Sequence, residues 1–265
     1  MPGFDDDITA YYDRGEEAGR LGDWGRLEMV RTQVLLERYL PPTPAQVLDV
    51  GGGPGVYAAW LAALGYRVRL IDPVELHVEQ ARAAGVERAE VGDARALDAE
   101  DGSADAVLLL GPLYHLPEGD DRRRALAEAW RVLRPGGVVA AAAIARFASA
   151  IDGLVKGFVR DPEFERIVES DLREGRHSNP SRNPRWFTTA YFHLPDDLAA
   201  EVHAAGFQLT TLAAVEGIGA WLPDVDDWLD DVERRAVLLR TIARVETEPS
   251  LLGASPHLLA VGVKP

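Results

Sequence analysis

Gly51, Gly53 and Gly55 recur in the run Val47-Leu-Asp-Val-Gly-Gly-Gly-Pro-Gly55, directly after a short apolar segment. Glycines at that spacing suit a turn that a ligand approaches closely, because a side chain would block the approach and the turn can demand positive φ. Asp72 ends the next apolar run, residues 67–71. A carboxylate at the end of the second strand of a strand–helix–strand unit can accept both hydroxyls of a ribose. Together these features imply a cofactor that contains a nucleoside. Val56 stands where a dinucleotide fingerprint needs its third glycine, so the loop is a poor cradle for a pyrophosphate. A nicotinamide-dinucleotide-dependent oxidoreductase on the same fold is the first competing reading, and a non-catalytic cofactor-binding module the second.

Groups able to move a proton lie further on. Tyr114 and His115 sit in Gly111-Pro-Leu-Tyr-His-Leu116, at the end of the fourth apolar run. His115 reads as a proton acceptor or as a histidine that ties down its own loop, and Tyr114 as a contact for cofactor or substrate. The stretch 146–194 supplies Arg146, His177, Asn183, Tyr191 and His193. Its run Trp186-Phe-Thr-Thr-Ala-Tyr-Phe-His193 mixes aromatic bulk with polar tips, the composition of a lid over a small pocket. Tyr191 and His193 are the candidates there for contact with an acceptor. The 6 histidines include no pair at helical ligand spacing and there are 0 cysteines, so neither a metal site nor a thiolate nucleophile is expected.

These groups need elements to hold them. Leu27, Val30, Val34 and Leu35 recur at helical spacing, which predicts a helical arm from about residue 5 to 40, closed by Pro41, Pro42 and Pro44. Apolar runs at 46–50, 67–71, just before Gly92, 105–110 and 138–144 then alternate with helical patterns, so the connections are strand–helix–strand and the sheet is parallel. From 146 to 194 that alternation breaks, and Asn179-Pro180 and Asn183-Pro184 favour turns. Strands at 207–212 and 257–263, with an acidic helix around 226–246 between them, complete a set of seven. The expected fold is α/β: a Rossmann-like, seven-stranded, mostly parallel twisted sheet with helices on both faces. The expected organisation is an N-terminal helical arm (1–45), a core (46–145 and 195–265) and a cap insertion (146–194). An insertion that leaves after the fifth strand starts and ends near the ligand edge of such a sheet, where it is placed to choose an acceptor.

The set Val47–Gly55, Asp72, Gly92-Asp93-Ala94, the strand running to Gly111-Pro112, and Arg131-Val-Leu-Arg-Pro-Gly-Gly137 resembles the S-adenosylmethionine-dependent methyltransferases of the Rossmann-like, class I type, in the right order over about residues 46–143. The resemblance implies S-adenosyl-L-methionine as cofactor. It places Asp49, Gly51 and Gly53 along the methionine portion, with Asp49 near the ammonium and Gly55 completing the loop. It gives Asp72 the ribose, Asp93 the adenine amino group, the Ala94 backbone a ring nitrogen, and Gly111 the side facing the methyl group. In that family the methyl group is already electrophilic, so the protein has mainly to align an O, N or C acceptor and exclude water.

Charge narrows the partner. A formal net charge of −15 disfavours nucleic acid, which clustered Lys and Arg would have to neutralise, so a small-molecule acceptor is expected. Arg122-Arg123-Arg124 reads as part of a solvated helix face, with an anion site as the alternative. The acidic start Met-Pro-Gly-Phe-Asp-Asp-Asp is unlike an export signal and no apolar run reaches membrane-spanning length, which points to the cytoplasm and to no membrane partner. The sequence leaves the oligomeric state open.

Overall fold

A computed structural model describes residues 8, 11, 12, 15, 17–23 and 25–265. Of the expected arm it describes a helical turn, Glu17–Arg20, and helix α1 (Arg26–Tyr39), with turns at 21–23 and Gly25 between them. Residues 5–7, 9, 10, 13, 14, 16 and 24 of that expectation lie outside the described residues. β1 (Gln46–Val50), α2 (Val56–Ala63), β2 (Arg67–Asp72), α3 (Glu75–Ala83), β3 (Ala89–Val91), β4 (Ala104–Leu109), α4 (Gly119–Val132) and β5 (Leu133–Ala145) follow in strict alternation. Strands β3-β2-β1-β4-β5 are parallel, then β9 (His257–Val263) runs antiparallel to β5, and β8 (Gln208–Ala214) antiparallel to β9.

The apolar runs explain the burial. Alternate residues of a strand point to opposite faces. Leu48, Val50, Val107, Leu109, Val139 and Ala141 meet Leu126 and Ala129 of α4, together with Leu198 and Val202 of α7 (Pro195–Ala204). Val47, Ala106, Leu108, Ala140 and Leu259 meet Leu35 and Leu36 of α1 and Leu61 of α2 on the other face. The seven expected strands are therefore present as one sheet with helices on both sides.

The insertion adds more structure than expected. Its first half holds two helices, α5 (Ala148–Lys156) and α6 (Pro162–Glu174), the latter capped by the Asp161 carboxylate on the Glu163 amide. Only the Asn-Pro stretch remains irregular, and Asn179 side-chain atoms bond the Asn183 main chain there. Two short strands follow, β6 (Arg176–His177) and β7 (Ala190–His193), which brings the described strands to nine. Ile144 pairs with His257 on one side and with Phe192 on the other, so the β6–β7 hairpin extends the β4 side of β5 past the end of β4. The acidic helix expected over 226–246 is two helices, α8 (Val225–Asp230) and α9 (Val232–Ala243); Asp231 between them is extended and caps α9 through Arg234 N.

Candidate functional site

The loops after the carboxyl ends of β1 to β4 converge on one cavity, where an open parallel sheet binds ligands. Gly51 has φ 68°, and a Cβ there would meet the Pro112 ring at 2.7 Å, so the loop after β1 nests against the loop after β4. Gly53, at φ 56°, has open space where a Cβ would stand. Gly55 serves a different contact from the one expected. Its missing Cβ would lie 2.9 Å from Ala81 Cβ, so it packs α2 on α3, while Gly51, Gly52 and Gly53 line the cavity.

Asp49 lies under this loop, fully buried, and neither carboxylate oxygen has a hydrogen-bond partner among the described residues. Burial, with repulsion from Asp72, pushes its carboxyl up to about 7. A buried carboxylate without a partner calls for a cation or a donor from a ligand. Asp72 accepts from Gly53 N at 2.8 Å through one oxygen and from Val74 N at 2.9 Å through the other, which also lies 3.1 Å from His77 Nδ1. Its carboxylate thus fixes the glycine loop and reaches the cavity at once. Asp93 and Ala94 line the same cavity, but the Asp93 carboxylate is held by the Arg95 guanidinium. Although burial opposes its charge, Arg95 keeps Asp93 below the ordinary carboxylate range.

Gly111, Tyr114 and His115 form the next wall. Burial holds the Tyr114 phenol well above its ordinary value and drops His115 to about 4, so both are neutral. Tyr12 Oη lies 2.6 Å from His115 Nε2, so that ring nitrogen is engaged by the N-terminal segment. His115 therefore pins the N-terminal segment over the cavity.

Tyr191 and His193 lie outside the cavity lining. The Arg122 guanidinium sits 3.7 Å from the Tyr191 ring centroid and bonds Glu201 and the carbonyls of Leu116 and Pro117. His193, fully buried, meets Glu201 at 3.3 Å. Arg122, expected on a solvated face, is thus buried, and with Tyr191 and His193 it braces the loop that carries His115. Arg146 donates to Phe192 O, His177 pairs with Asp171 at 2.8 Å, and Asn183 sits in the Asn-Pro turns, so the insertion's polar residues serve its own framework. Phe187 reaches the site edge, with its ring 5.7 Å from His115.

The far wall comes from groups the sequence reading passed over: Glu17, Arg20, Leu21, Glu28 and Thr32 from the N-terminal region, and His257 from β9. Arg20 bonds Glu17 through Nε and Glu28 through both terminal nitrogens. His257 Nδ1 lies 2.5 Å from Glu216 Oε1 and 3.9 Å from Glu28 Oε2. Burial opposes charge on His257, but Glu28 and Glu216 outweigh it and raise the imidazole to about 9. Glu28, Glu216 and His257 bring their ligand atoms within 4.8 Å of one another, a spacing that could hold a cation. Arg20 and the His257–Glu216 pair already satisfy them.

A methyltransferase domain family matches residues 48–141. The chain is 30% identical over 195 residues to a ubiquinone biosynthesis O-methyltransferase of Xanthomonas axonopodis pv. citri, covering 71% of this chain and 73% of that protein. It is 32% identical over 159 residues to an uncharacterized methyltransferase of Mycobacterium tuberculosis, covering 58% of each. Several of the curated relatives are matched over only 58–65% of their own length. Among solved structures, a SAM-dependent methyltransferase of Methanosarcina mazei shares the fold at a TM-score of 0.59 and 18% identity, covering 87% of this chain and 96% of that one. An S-adenosylmethionine dependent methyltransferase of Mesorhizobium loti does so at 0.55 and 16%, covering 89% and 99%.

Proposed function

The chain belongs to the class I S-adenosylmethionine-dependent methyltransferases, and from that premise we infer that it methylates a small molecule bound between the cofactor loops and the N-terminal wall. S-adenosyl-L-methionine, when bound, supplies a methyl group already activated on a positively charged sulfur. The observation that carries the reading is Asp49: a buried carboxylate with no partner among the described residues, directly beneath the glycine loop, suits the positively charged ammonium of the cofactor's amino acid portion. Asp72 would hold the ribose with the lone-pair capacity left after Gly53 and Val74, and Asp93 with the Ala94 backbone would border the adenine.

The protein's own part is alignment and exclusion of water. Gly111 lets the loop after β4 lie close against the loop after β1, since a Cβ there would stand 3.1 Å from Gly51 O. Tyr12, pinned by His115, and the Arg20 clamp on Glu17 and Glu28 close the far side. A wall built from one's own N-terminal segment suits a small acceptor, and a relative's designation as an O-methyltransferase favours oxygen. The insertion acts in this scheme as a brace for the His115 loop. No helix among the described residues is long and apolar enough to cross a membrane.

Calorimetry with S-adenosylhomocysteine and with nicotinamide adenine dinucleotide tests the reading. Saturable binding of the first alone is expected, and binding of the second alone would overturn it.

A further inference from the structure

We propose that Glu216 and His257 form the acid–base pair of the acceptor subsite, and that the acceptor is a phenol or enol whose hydroxyl donates to His257 Nε2. The inference rests on the methyltransferase reading and goes beyond it in naming the proton acceptor and the substrate class.

The position follows from topology. β9 runs against the parallel strands, so its first residue, His257, lies opposite Ile144 at their carboxyl end, on the cavity that Gly111 and Tyr114 also line. The orientation follows from hydrogen bonds. Glu216 is 5% exposed and fixed by Ser255 Oγ at 3.0 Å and His257 N at 3.1 Å; Ser255 Oγ in turn accepts from Gly217 N. This held carboxylate takes Nδ1, and the bond at one ring nitrogen decides the role of the other. Nε2 has no partner among the described residues and is the nitrogen left for the cavity. Leu21, Ala142, Val215 and Tyr114 give the same wall apolar surface for a ring.

Basicity then selects the substrate. The charged groups that face His257 are Glu28 and Glu216, which raise it, and Arg20, which works against them; burial also opposes the charge, and the outcome is about 9. Proton transfer is efficient when donor and acceptor are matched, and a phenolic hydroxyl near 10 is matched to such a base where an aliphatic alcohol is not. An ammonium acceptor would bring only donors to a wall whose carboxylates are held by Arg20 and His257. The step balances. The acceptor's O–H proton passes to neutral His257 Nε2, its oxygen lone pair forms the bond to the methyl carbon, and the carbon–sulfur bond breaks with its electrons left on sulfur. The imidazolium then returns its proton to water.

The test measures S-adenosylhomocysteine affinity by calorimetry, the His257 ring-nitrogen titration by NMR, and methyl transfer to catechol, phenol, cyclohexanol and benzylamine against pH. It uses the wild type, His257→Asn and Glu216→Gln. The proposal expects transfer to catechol or phenol that rises about tenfold per pH unit to a plateau near 9, because the neutral imidazole is the active form. His257→Asn should lose about 100-fold or more of that transfer with affinity unchanged, and Glu216→Gln should move both the plateau and the ring titration to lower pH. Wild-type rate and profile in His257→Asn would overturn it, as would transfer to benzylamine alone, to cyclohexanol as readily as to phenol, or to none of the four. Loss of transfer on chelation with recovery on Mg²⁺ would overturn it in favour of a cation site. Absence of S-adenosylhomocysteine binding in the wild type would instead remove the methyltransferase reading beneath it.

Discussion

Asp49 shows how a single carboxylate can report on the cofactor before any is added. Its carboxyl is raised to about 7 by burial and by Asp72, so near neutrality the cofactor-free protein holds a proton there part of the time. A bound ammonium favours the carboxylate and expels that proton. Affinity for S-adenosylhomocysteine should therefore strengthen as pH rises from 6 to 8, by up to about tenfold per unit below the midpoint. Calorimetry in buffers of different ionisation enthalpy reads the released proton directly. Asp49→Asn should bind more weakly and without the pH dependence; a wild-type slope in that variant would remove the assignment. Asp49 and Asp72 were legible in the sequence because Asp49 stands in the apolar run that leads into the glycine turn and Asp72 ends the next such run. The double duty of Asp72 was not, because its bonds to Gly53 and Val74 depend on how the loops fold back.

At the level of elements, the strand–helix alternation could be read from the sequence because strands buried on both faces are continuous apolar runs. The two insertion helices were missed although α6 carries a helical stripe, Phe164, Ile167, Val168 and Leu172; the turns at Asn179-Pro180 and Asn183-Pro184 set the reading of the whole stretch, and they govern only its second half. β6 and β7, at 2 and 4 residues, are too short to carry a period at all. The same gap hid the role of Arg122, whose partners Glu201 and Tyr191 come from α7 and β7. Replacing Arg122 by Met should cost about 2 to 4 kcal/mol in chemical denaturation, because Glu201 and two loop carbonyls lose their donor. Methyl transfer should fall more than cofactor affinity, since the loosened segment is the one that carries Tyr114 and His115. Equal losses in both would mean that the brace supports the cofactor loops instead.

Over the whole molecule, the far wall ties the last strand to the first helix, and this coupling has a pH signature. No local pattern marks His257: its position follows only once β9 is known to run antiparallel at the edge of β5. Once there, it bridges Glu216, which follows β8, and Glu28 of α1. Arg31, fully buried on the same helix, bonds Val215 O and Glu246, so α1 is fastened twice to the segments around β8. His257 is raised from 6.5 to about 9 by Glu28 and Glu216 against the opposition of burial. A group whose folded value lies above its unfolded one stabilises fully below 6.5, and the contribution is lost as pH climbs through 9. The shift corresponds to about 3 kcal/mol, or roughly 5 to 10 °C in Tm for a chain of this size. The cofactor-free wild type should therefore lose that much thermal stability between pH 6.5 and 9.5, on top of the slow decline expected of a chain carrying −15 charges. His257→Gln keeps a polar side chain at the site but cannot take up the proton, so its melting curve should start lower at pH 6.5 and stay nearly flat across the same window. Parallel declines in the two proteins, measured by scanning calorimetry at fixed ionic strength, would show that His257 is not the group that fastens the last strand to the arm.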